Sequence, residues 1–211
     1  MFKKNPLVNN KEREIIMELI KSKTYKNLAA SFAGECQAYT RYKFLEYGAR
    51  YNKLNCLAEV IDTIAFNEFQ HARMFYTFIQ KAQKQPIKNI DISTGYPFKE
   101  KWNVTQNMLL AAEDEIKEAE DIYPEFEKTA REEGFVEIAE LYHNIIQVEK
   151  MHAELFNKIH SQLENGTMYK KPKKVKWKCS QCGYTADGKE PWKQCPLCEA
   201  EQGFVMLNLE D

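Results

Sequence analysis

The 211-residue sequence predicts an all-α protein: a four-helix bundle followed by a small module that is stapled by metal. Three observations lead to this fold class. Four long segments repeat apolar residues every three or four positions, one long segment rich in helix breakers interrupts them, and four of the six cysteines form two CxxC pairs near the C-terminus. Apolar residues at that period share one helix face, which has to be buried against other helices.

The overall charge excludes some classes of partner. The chain has 30 basic and 31 acidic side chains and a net charge of -1, so no global field attracts nucleic acid or anionic lipid. No stretch reaches the roughly 18 uninterrupted apolar residues of a membrane span, and the N-terminus lacks the apolar run of a signal peptide. We therefore expect a cytoplasmic protein with no nucleic-acid and no membrane partner.

The first two predicted helices span about 22–50 and about 53–84. The apolar stripe of the first contains Glu35, and that of the second contains Glu68 and His71 in the motif "EFQH". A buried carboxylate without a partner costs several kcal/mol or gives up its charge. A positive or proton-donating group must therefore face these side chains.

A long connection follows the second helix, where Pro86, Gly95 and Pro97 break the helical period. Its length predicts a crossover between helices that run in the same direction. Asn103 with Gln106 three residues later is a candidate N-cap pair for the third helix.

The third and fourth helices repeat the pattern of the first two. Glu115 and Glu118 lie in the stripe of the third helix, Gly134 ends that helix, and Glu149 and His152 lie in the stripe of the fourth in the motif "EKMH". Within the third helix, Pro124 lacks an N–H and clashes with the carbonyl one turn earlier, so we expect a kink there.

The four helices thus offer E, ExxH, E and ExxH in chain order, which is the signature of di-iron and di-manganese carboxylate proteins with a ferritin-like bundle. Residues three apart on a helix lie side by side, so one carboxylate can bridge two cations while its histidine binds one of them. Buried, hydrogen-bonded glutamate and histidine pairs without metal are the alternative. The sequence favours the dinuclear site, because all four acids lie among Leu, Ile and Phe. Tyr42 and Tyr123 are candidates to donate a hydroxyl to a ligating carboxylate, or are ordinary core tyrosines.

The bundle is expected to span residues 1–164, and the lysine-rich segment 165–176 reads as an exposed linker. The remaining segment, 177–211, is too short for a self-sufficient core and needs a staple. Its two CxxC pairs can close a tetrahedral site for zinc or iron, formed by Cys179, Cys182, Cys195 and Cys198. The other two cysteines, Cys36 and Cys56, are expected to pack as small apolar groups.

Short stretches of the chain resemble the rubrerythrin family. "SFAGECQAYTRY", "NEFQHA", "EDEIKEAEDIYPEF" and "VEKMHAELF" resemble the four bundle motifs of that family, and "WKCSQCGY" and "CPLC" resemble its rubredoxin-like knuckles. The resemblance implies that two non-haem irons are held by Glu35, Glu68, His71, Glu115, Glu118, Glu149 and His152, and that a third iron is held by the four cysteines. In one departure from the pattern, Glu199 stands where a glycine often follows the last cysteine.

The resemblance also implies an activity, the reduction of hydrogen peroxide to water in oxidative-stress defence. A separate reductase or a rubredoxin would supply electrons from NADH or NADPH through the four-cysteine iron. The family pairs head to tail, so a homodimer is expected. The iron near Glu118 is expected to exchange between His71 when ferrous and Glu118 when ferric, because a more highly charged ion favours anionic oxygen. Two alternatives remain open, a ferroxidase or iron-storage protein and a helical binding module that carries zinc at the cysteines.

Overall fold

The structure is a computed structural model that describes residues 18–82, 89–93, 95 and 103–209. Within these residues the chain is mostly helical, as predicted. Its elements in chain order are α1 Lys23–Tyr51, α2 Asn55–Ala82, α3 Val104–Lys117, a π-helical segment Glu118–Ile122, α4 Tyr123–Glu132, α5 Val136–Glu164, β1 Val175–Lys178, β2 Thr185–Gly188 and a 3-10 helix Gln202–Phe204. The segments α3, π and α4 follow each other without a break and form the third helix of the bundle.

The observed bounds agree closely with those read from the hydrophobic period. The sequence predicts the first helix over 22–50, and α1 begins at Lys23. Ser22 is its N-cap, with a side chain that accepts a hydrogen bond from the N–H of Tyr25. α2 was expected at 53–84 and is described to Ala82. The predicted crossover, with Pro86 and Pro97, lies largely outside the described residues.

The predicted start of the third helix is confirmed. The side-chain oxygen of Asn103 accepts a hydrogen bond of 3.0 Å from the N–H of Gln106. This contact satisfies one of the four N–H groups that have no partner within the first helical turn.

Two tight turns pair the helices. Lys53, with φ of 61°, reverses the chain between α1 and α2, and Gly134, with φ of 83°, does so between α4 and α5. Positive φ costs little for glycine and more for lysine, because only lysine has a Cβ. α1 packs along α2, and the third helix packs along α5.

The core consists of two apolar clusters. One contains residues from all four helices, among them Leu45, Leu57, Met108 and Phe156. The other is built around Leu28, Phe75, Tyr142 and Ile145. The acidic residues of the four stripes lie between the two clusters in sequence on every helix, so a polar layer divides the core of the bundle.

The third helix departs from α-helical geometry close to Pro124. The five residues Glu118–Ile122 form a π-helical turn, in which the N–H of Tyr123 donates to the carbonyl of Glu118. Because Pro124 has no N–H to donate, the regular ladder cannot continue through it, and the wider turn absorbs the mismatch. The regular helix is therefore interrupted by a π turn that begins at a candidate ligand, and the kink expected at Pro124 stays a prediction.

The C-terminal module is a short antiparallel hairpin with two cysteine knuckles. β1 pairs with β2 from Val175 opposite Gly188 to Lys178 opposite Thr185. Trp177 on β1 is buried, and its indole N–H donates to the carbonyl of Gly188 on β2. Cys179 follows β1 directly.

In both knuckles the residue that follows the CxxC pair has a left-handed backbone conformation, with positive φ. Gly183 has a φ of 75° after the first pair, and Glu199 has a φ of 62° after the second. Glu199 therefore adopts the left-handed backbone conformation that glycine usually supplies after the last cysteine. This costs about 1–2 kcal/mol, because glutamate has a Cβ. The backbone N–H of Glu199 donates to the carbonyl of Cys195 at 2.9 Å, as that of Gly183 does to Cys179 at 3.0 Å.

The module rests on the turn between α1 and α2. Gly203 lies against the backbone of Lys53 so closely that a Cβ on Gly203 would be 1.7 Å from the Lys53 carbonyl oxygen. The ammonium of Lys53 pairs with Glu201 at 2.9 Å, and the following chain packs Leu207 and Leu209 against the bundle. The proposed division into 1–164, 165–176 and 177–211 stays a prediction. No helix in the described part of the chain is long and apolar enough to cross a membrane.

Glu133, at the end of α4, caps the N-terminus of α1 across the bundle. Its carboxylate accepts hydrogen bonds from the backbone N–H groups of Lys23 and Thr24, at 3.0 and 2.9 Å, and from the Thr24 hydroxyl at 2.6 Å. Partial burial raises the pKa of Glu133, but the hydrogen bonds from Thr24 and Lys23 outweigh it and hold the pKa below its usual value.

Replacing Glu133 by Gln should lower the free energy of unfolding by about 1 kcal/mol at neutral pH. Because the pKa is lower in the folded state, the stabilisation is present above the unfolded pKa and is lost as pH falls through the folded pKa. Urea titrations at several pH values would measure it. The control is Glu132→Gln, which removes only a long ion pair with Lys128 of 3.9 Å. A loss in Glu133→Gln that stays constant into the acid range would contradict the prediction.

Candidate metal centre

The polar layer of the bundle brings six predicted residues together as two groups of four. Their ligand atoms lie within 4.8 Å of one another in each group, and all six residues are buried. The first group is Glu35, Glu68, His71 and Glu149, and the second is Glu68, Glu115, Glu149 and His152. Each group therefore offers three carboxylates and one imidazole.

Glu68 and Glu149 belong to both groups because each points one oxygen at each histidine. Oε2 of Glu68 and Oε1 of Glu149 lie 3.2 and 2.9 Å from Nδ1 of His71. Oε1 of Glu68 and Oε2 of Glu149 both lie 3.0 Å from Nδ1 of His152. Two carboxylates shared in this way are placed to bridge two cations.

Glu35 and Glu115 belong to one group each and are related in the same symmetric way. Oε2 of Glu35 lies 3.6 Å from Nδ1 of His71, and Oε2 of Glu115 lies 3.8 Å from Nδ1 of His152. Both tyrosines named from the sequence contact the other oxygen of these carboxylates. The hydroxyl of Tyr123 donates to Oε1 of Glu35, and that of Tyr42 donates to Oε1 of Glu115.

The inward atoms of the site are short of partners. Oε2 of Glu35, Oε2 of Glu115, both oxygens of Glu149 and Nδ1 of His152 are among the buried atoms that no hydrogen bond satisfies. Buried polar atoms in proteins are almost always paired, so such a cluster is unusual. Oxygen and imidazole donors that converge without partners fit two transition-metal ions.

The electrostatics support the same conclusion. Burial raises the pKa of Glu35 and of Glu115 well above the usual range, and neighbouring carboxylates raise both further. Burial also opposes the charge of Glu68, but the close imidazoles of His152 and His71 lower its pKa to about 2. Burial lowers the pKa of His152, yet the facing carboxylates raise it to about 12. Without a cation the cluster must hold protons to limit its negative charge.

Glu118, the seventh predicted ligand, stands apart from both groups. It lies at the first position of the π turn and lines a cavity of about 650 Å³, whose described wall comes from α1, the third helix, Ser93 and Gly95. A Cβ on Gly34 would lie 3.9 Å from Oε1 of Glu118. Burial, followed by repulsion from Glu35, raises the pKa of Glu118 well above its usual range.

The four module cysteines also converge. Their sulfurs lie within 4.8 Å of one another, with 3.8 Å between Cys179 and Cys198 and 3.6 Å between Cys182 and Cys195. A tetrahedron with metal–sulfur bonds of about 2.3 Å has edges of about 3.8 Å, so these sulfurs fit one metal ion. They are thiols and not disulfides.

Some residues were misjudged or missed from the sequence. Cys56 is buried, but Cys36 is exposed, so its predicted packing as a small apolar group is wrong. Cys36 follows Glu35 directly, and neighbours on a helix point about 100° apart. The side chain of Asn67 contacts His152, and the one sign of this in the sequence is that Asn67 directly precedes Glu68.

A ferritin-like bundle with this layer, joined to a four-cysteine module, defines a class: di-iron carboxylate proteins with a rubredoxin-like iron domain. Two protein-family models match the chain, and together they cover most of it and support this class. The model described as "Rubrerythrin" matches residues 26–160, and that described as "Rubrerythrin, rubredoxin-like domain" matches residues 177–204. The chain belongs to the rubrerythrin family.

Relatives and solved structures extend this finding. The chain is 36% identical to a rubrerythrin of Clostridium perfringens, over 87% of this chain and 93% of that protein. It is 32% identical to a rubrerythrin of Porphyromonas gingivalis, over 92% of this chain and 94% of that protein. A nigerythrin structure, which is 24% identical, shares the fold with a TM-score of 0.58 over 89% of this chain and 90% of that one.

Family, fold and clustered ligands together establish two kinds of metal site. One is a di-iron site with glutamate and histidine ligands, and the other is a rubredoxin-like site with four cysteines. The family indicates an iron-based oxidoreductase function connected with oxidative stress.

Metal uptake by the bundle should release protons. Because the pKa values of His71, His152, Glu35 and Glu115 are raised in the metal-free site, these groups hold protons that metal must displace. We expect roughly two or more protons per pair of Zn²⁺ ions at neutral pH.

Calorimetric titration in two buffers of different ionisation enthalpy measures that release. The double variant Glu68→Gln/Glu149→Gln removes both shared carboxylates but keeps the four-cysteine site. Subtracting the proton release of this variant from that of the unmutated protein leaves the release that is due to the bundle. Zinc binding to the bundle without net proton release would contradict the assigned protonation.

Proposed function

We propose that the protein is a non-haem peroxidase that reduces hydrogen peroxide to two water molecules, with two electrons and two protons. The observation that carries this proposal is the pair of four-residue groups that share Glu68 and Glu149. Two adjacent ferrous ions held by Glu35, Glu68, His71, Glu115, Glu149 and His152 would supply both electrons together. No free radical then has to leave the site.

The residues around the groups have separate tasks in this proposal. The hydroxyls of Tyr123 and Tyr42 hold one oxygen of Glu35 and Glu115, so each of these carboxylates presents only its second oxygen inward. The cavity beside Glu118 is a route by which a molecule as small as peroxide reaches the layer. The Glu118 carboxyl lies at the cavity wall, where it is placed to donate a proton to the departing oxygen.

The four-cysteine site serves as an electron relay. Four sulfurs complete a tetrahedral shell and leave no position for peroxide, so the site can only pass single electrons. The chain carries no glycine motif for a dinucleotide. The donor is therefore a separate protein, either a rubredoxin or a reductase that uses NADH or NADPH.

A head-to-tail homodimer would shorten the electron path. The module rests on Lys53, beside the start of α2 at Asn55, whereas Glu68 lies 13 residues further along that helix. At 1.5 Å per residue this is about 20 Å. Electron tunnelling weakens steeply with distance, so delivery to the bundle of a partner chain is favoured over delivery within one chain.

The cytoplasm is the compartment that suits this chemistry. All six cysteines are free, and four of them are arranged as metal ligands, which is the usual use of clustered cysteines in a reducing compartment.

The reaction itself is tested with anaerobically reduced protein loaded with iron. We expect stoichiometric peroxide consumption much faster than oxidation by oxygen, two electrons per peroxide, and a visible spectrum from iron at the cysteines. Faster reaction with oxygen and growth of a retained iron core would instead support a ferroxidase. Colourless protein with zinc at the cysteines, and no reaction with peroxide, would support a binding module.

Replacing Glu118 by Ala should leave two irons bound, because six ligands remain. Peroxide reduction should slow by about 100-fold or more, because the proton donor is lost. If Glu118 also replaces His71 on the ferric ion, structures of the two redox states should differ in that ligand. Glu125→Ala, which alters another acid lining the same cavity, is the control. Turnover at the unmutated rate, with His71 retained in both states, would refute the role of Glu118.

Mixed dimers test the relay and its route. Cys179→Ser/Cys182→Ser should abolish turnover driven by a reductase while chemically reduced bundle iron still reacts with peroxide.

Mixing this chain with a Glu68→Ala/Glu149→Ala chain gives dimers with one intact module and one intact bundle on different subunits. Transfer between subunits predicts restored turnover in the mixture. Two inactive chains that stay inactive together, despite verified exchange of subunits, would place the transfer within one chain.

A further inference from the structure

The side chain of Asn67 lies against the outer edge of the His152 ring. Its amide nitrogen is 3.1 Å from Nε2 of His152. Nδ1 of the same ring points the other way, 3.0 Å from Oε1 of Glu68. Asn67 and Glu68 are consecutive on α2, so that helix contacts both nitrogens of an imidazole that belongs to α5.

The protonation of Nε2 of His152 decides whether Asn67 has to donate or accept the hydrogen bond between them. A ring that binds metal through Nδ1 carries its remaining proton on Nε2. A fully protonated ring carries a proton there as well. Nε2 is therefore a donor in both states, and its partner has to accept. Turning the amide by 180° puts Oδ1 of Asn67 in place of its nitrogen, with no change of shape.

The two halves of the site differ at this point. Asn67 stands directly before the Glu of the first ExxH motif, whereas Val148 stands directly before the Glu of the second. Valine has no polar atom to offer to the opposite histidine. Among the described residues no hydrogen bond reaches Nε2 of His71, although its Nδ1 is surrounded by carboxylates just as that of His152 is.

We propose that Asn67 is a positioning residue that accepts the Nε2–H of His152 through Oδ1, fixes the tautomer with Nδ1 directed inward, and makes the His152 half the rigid half of the dinuclear site. The proposal rests on the metal site assigned above. Within the described part of the chain the Nε2 of His71 has no such partner, so the tautomer of that ring is not fixed in the same way.

The test is metal binding by the full-length chain with Co²⁺, which needs no turnover. Thiolate charge-transfer bands report Co²⁺ at the cysteines separately from Co²⁺ in the bundle. Asn67→Leu keeps a similar size but has no acceptor. It should weaken one of the two bundle ions by about 10- to 100-fold and leave the other unchanged. Asn67→Asp keeps an acceptor and should restore tight binding of both ions.

A matched control is Asn144→Leu, which makes the same change at an exposed position of α5. It should bind both ions with unmutated affinity. Hydrogen exchange at the ring Nε2–H, followed by ¹⁵N NMR on the Zn²⁺-loaded protein, gives a second measurement. In the unmutated chain the His152 proton should exchange more slowly than the His71 proton, and Asn67→Leu should remove that difference.

The outcomes separate this inference from the proposed function. If the unmutated bundle does not take up two ions, the metal site itself is refuted. If it does, but Asn67→Leu binds both ions with unmutated affinity or weakens both equally, the positioning role is overturned. If Asn67→Leu does not fold, Asn67→Asp decides: loss of one ion in this variant overturns the role, and retention of both with slow His152 exchange supports it.

Discussion

The structure depends on the burial of four carboxylates and two imidazoles in a layer that apolar clusters enclose on both sides. Charged groups removed from water are costly unless opposite charge meets them at short range. Here the opposite charge comes in part from two histidines, each within 4 Å of three carboxylates. The four carboxylates outnumber the two imidazoles by two, and divalent metal is the cation that suits oxygen and nitrogen donors in this arrangement.

The same requirement explains the surroundings of the layer. The hydroxyls of Tyr42 and Tyr123 satisfy one oxygen of Glu115 and one of Glu35, which leaves the second oxygen of each directed into the layer. The π turn at Glu118 occurs where the third helix passes the site, next to a proline that prevents a regular ladder. π turns are rare in proteins, but those that occur are often at functional sites. The additional residue in the turn changes the direction of the side chains that follow.

The site has near two-fold symmetry in its ligands and is asymmetric in its surroundings. Among the described residues, Glu118 lies nearest to Glu35 of the carboxylates, and Asn67 contacts the ring of His152 but not that of His71. One half is therefore held by a hydrogen bond behind its histidine, while the other faces a cavity and an additional acid. The module is fixed by close contact at Gly203, so its metal site is held at one end of the bundle.

Much of the fold and the site could be predicted from the sequence, because the responsible signals are local. The helix bounds follow from the apolar period and from caps such as Asn103, and the six clustered residues follow from two ExxH motifs and two single glutamates in apolar stripes. The four-cysteine site follows from the spacing of its CxxC pairs. Tertiary structure alone decided which carboxylates are shared, which oxygen each tyrosine holds, that Glu133 caps a helix 110 residues earlier in the chain, and that Asn67 reaches His152. These contacts join residues that are distant in sequence, so they depend on how the helices are rotated and offset against one another, and helical period does not fix either quantity.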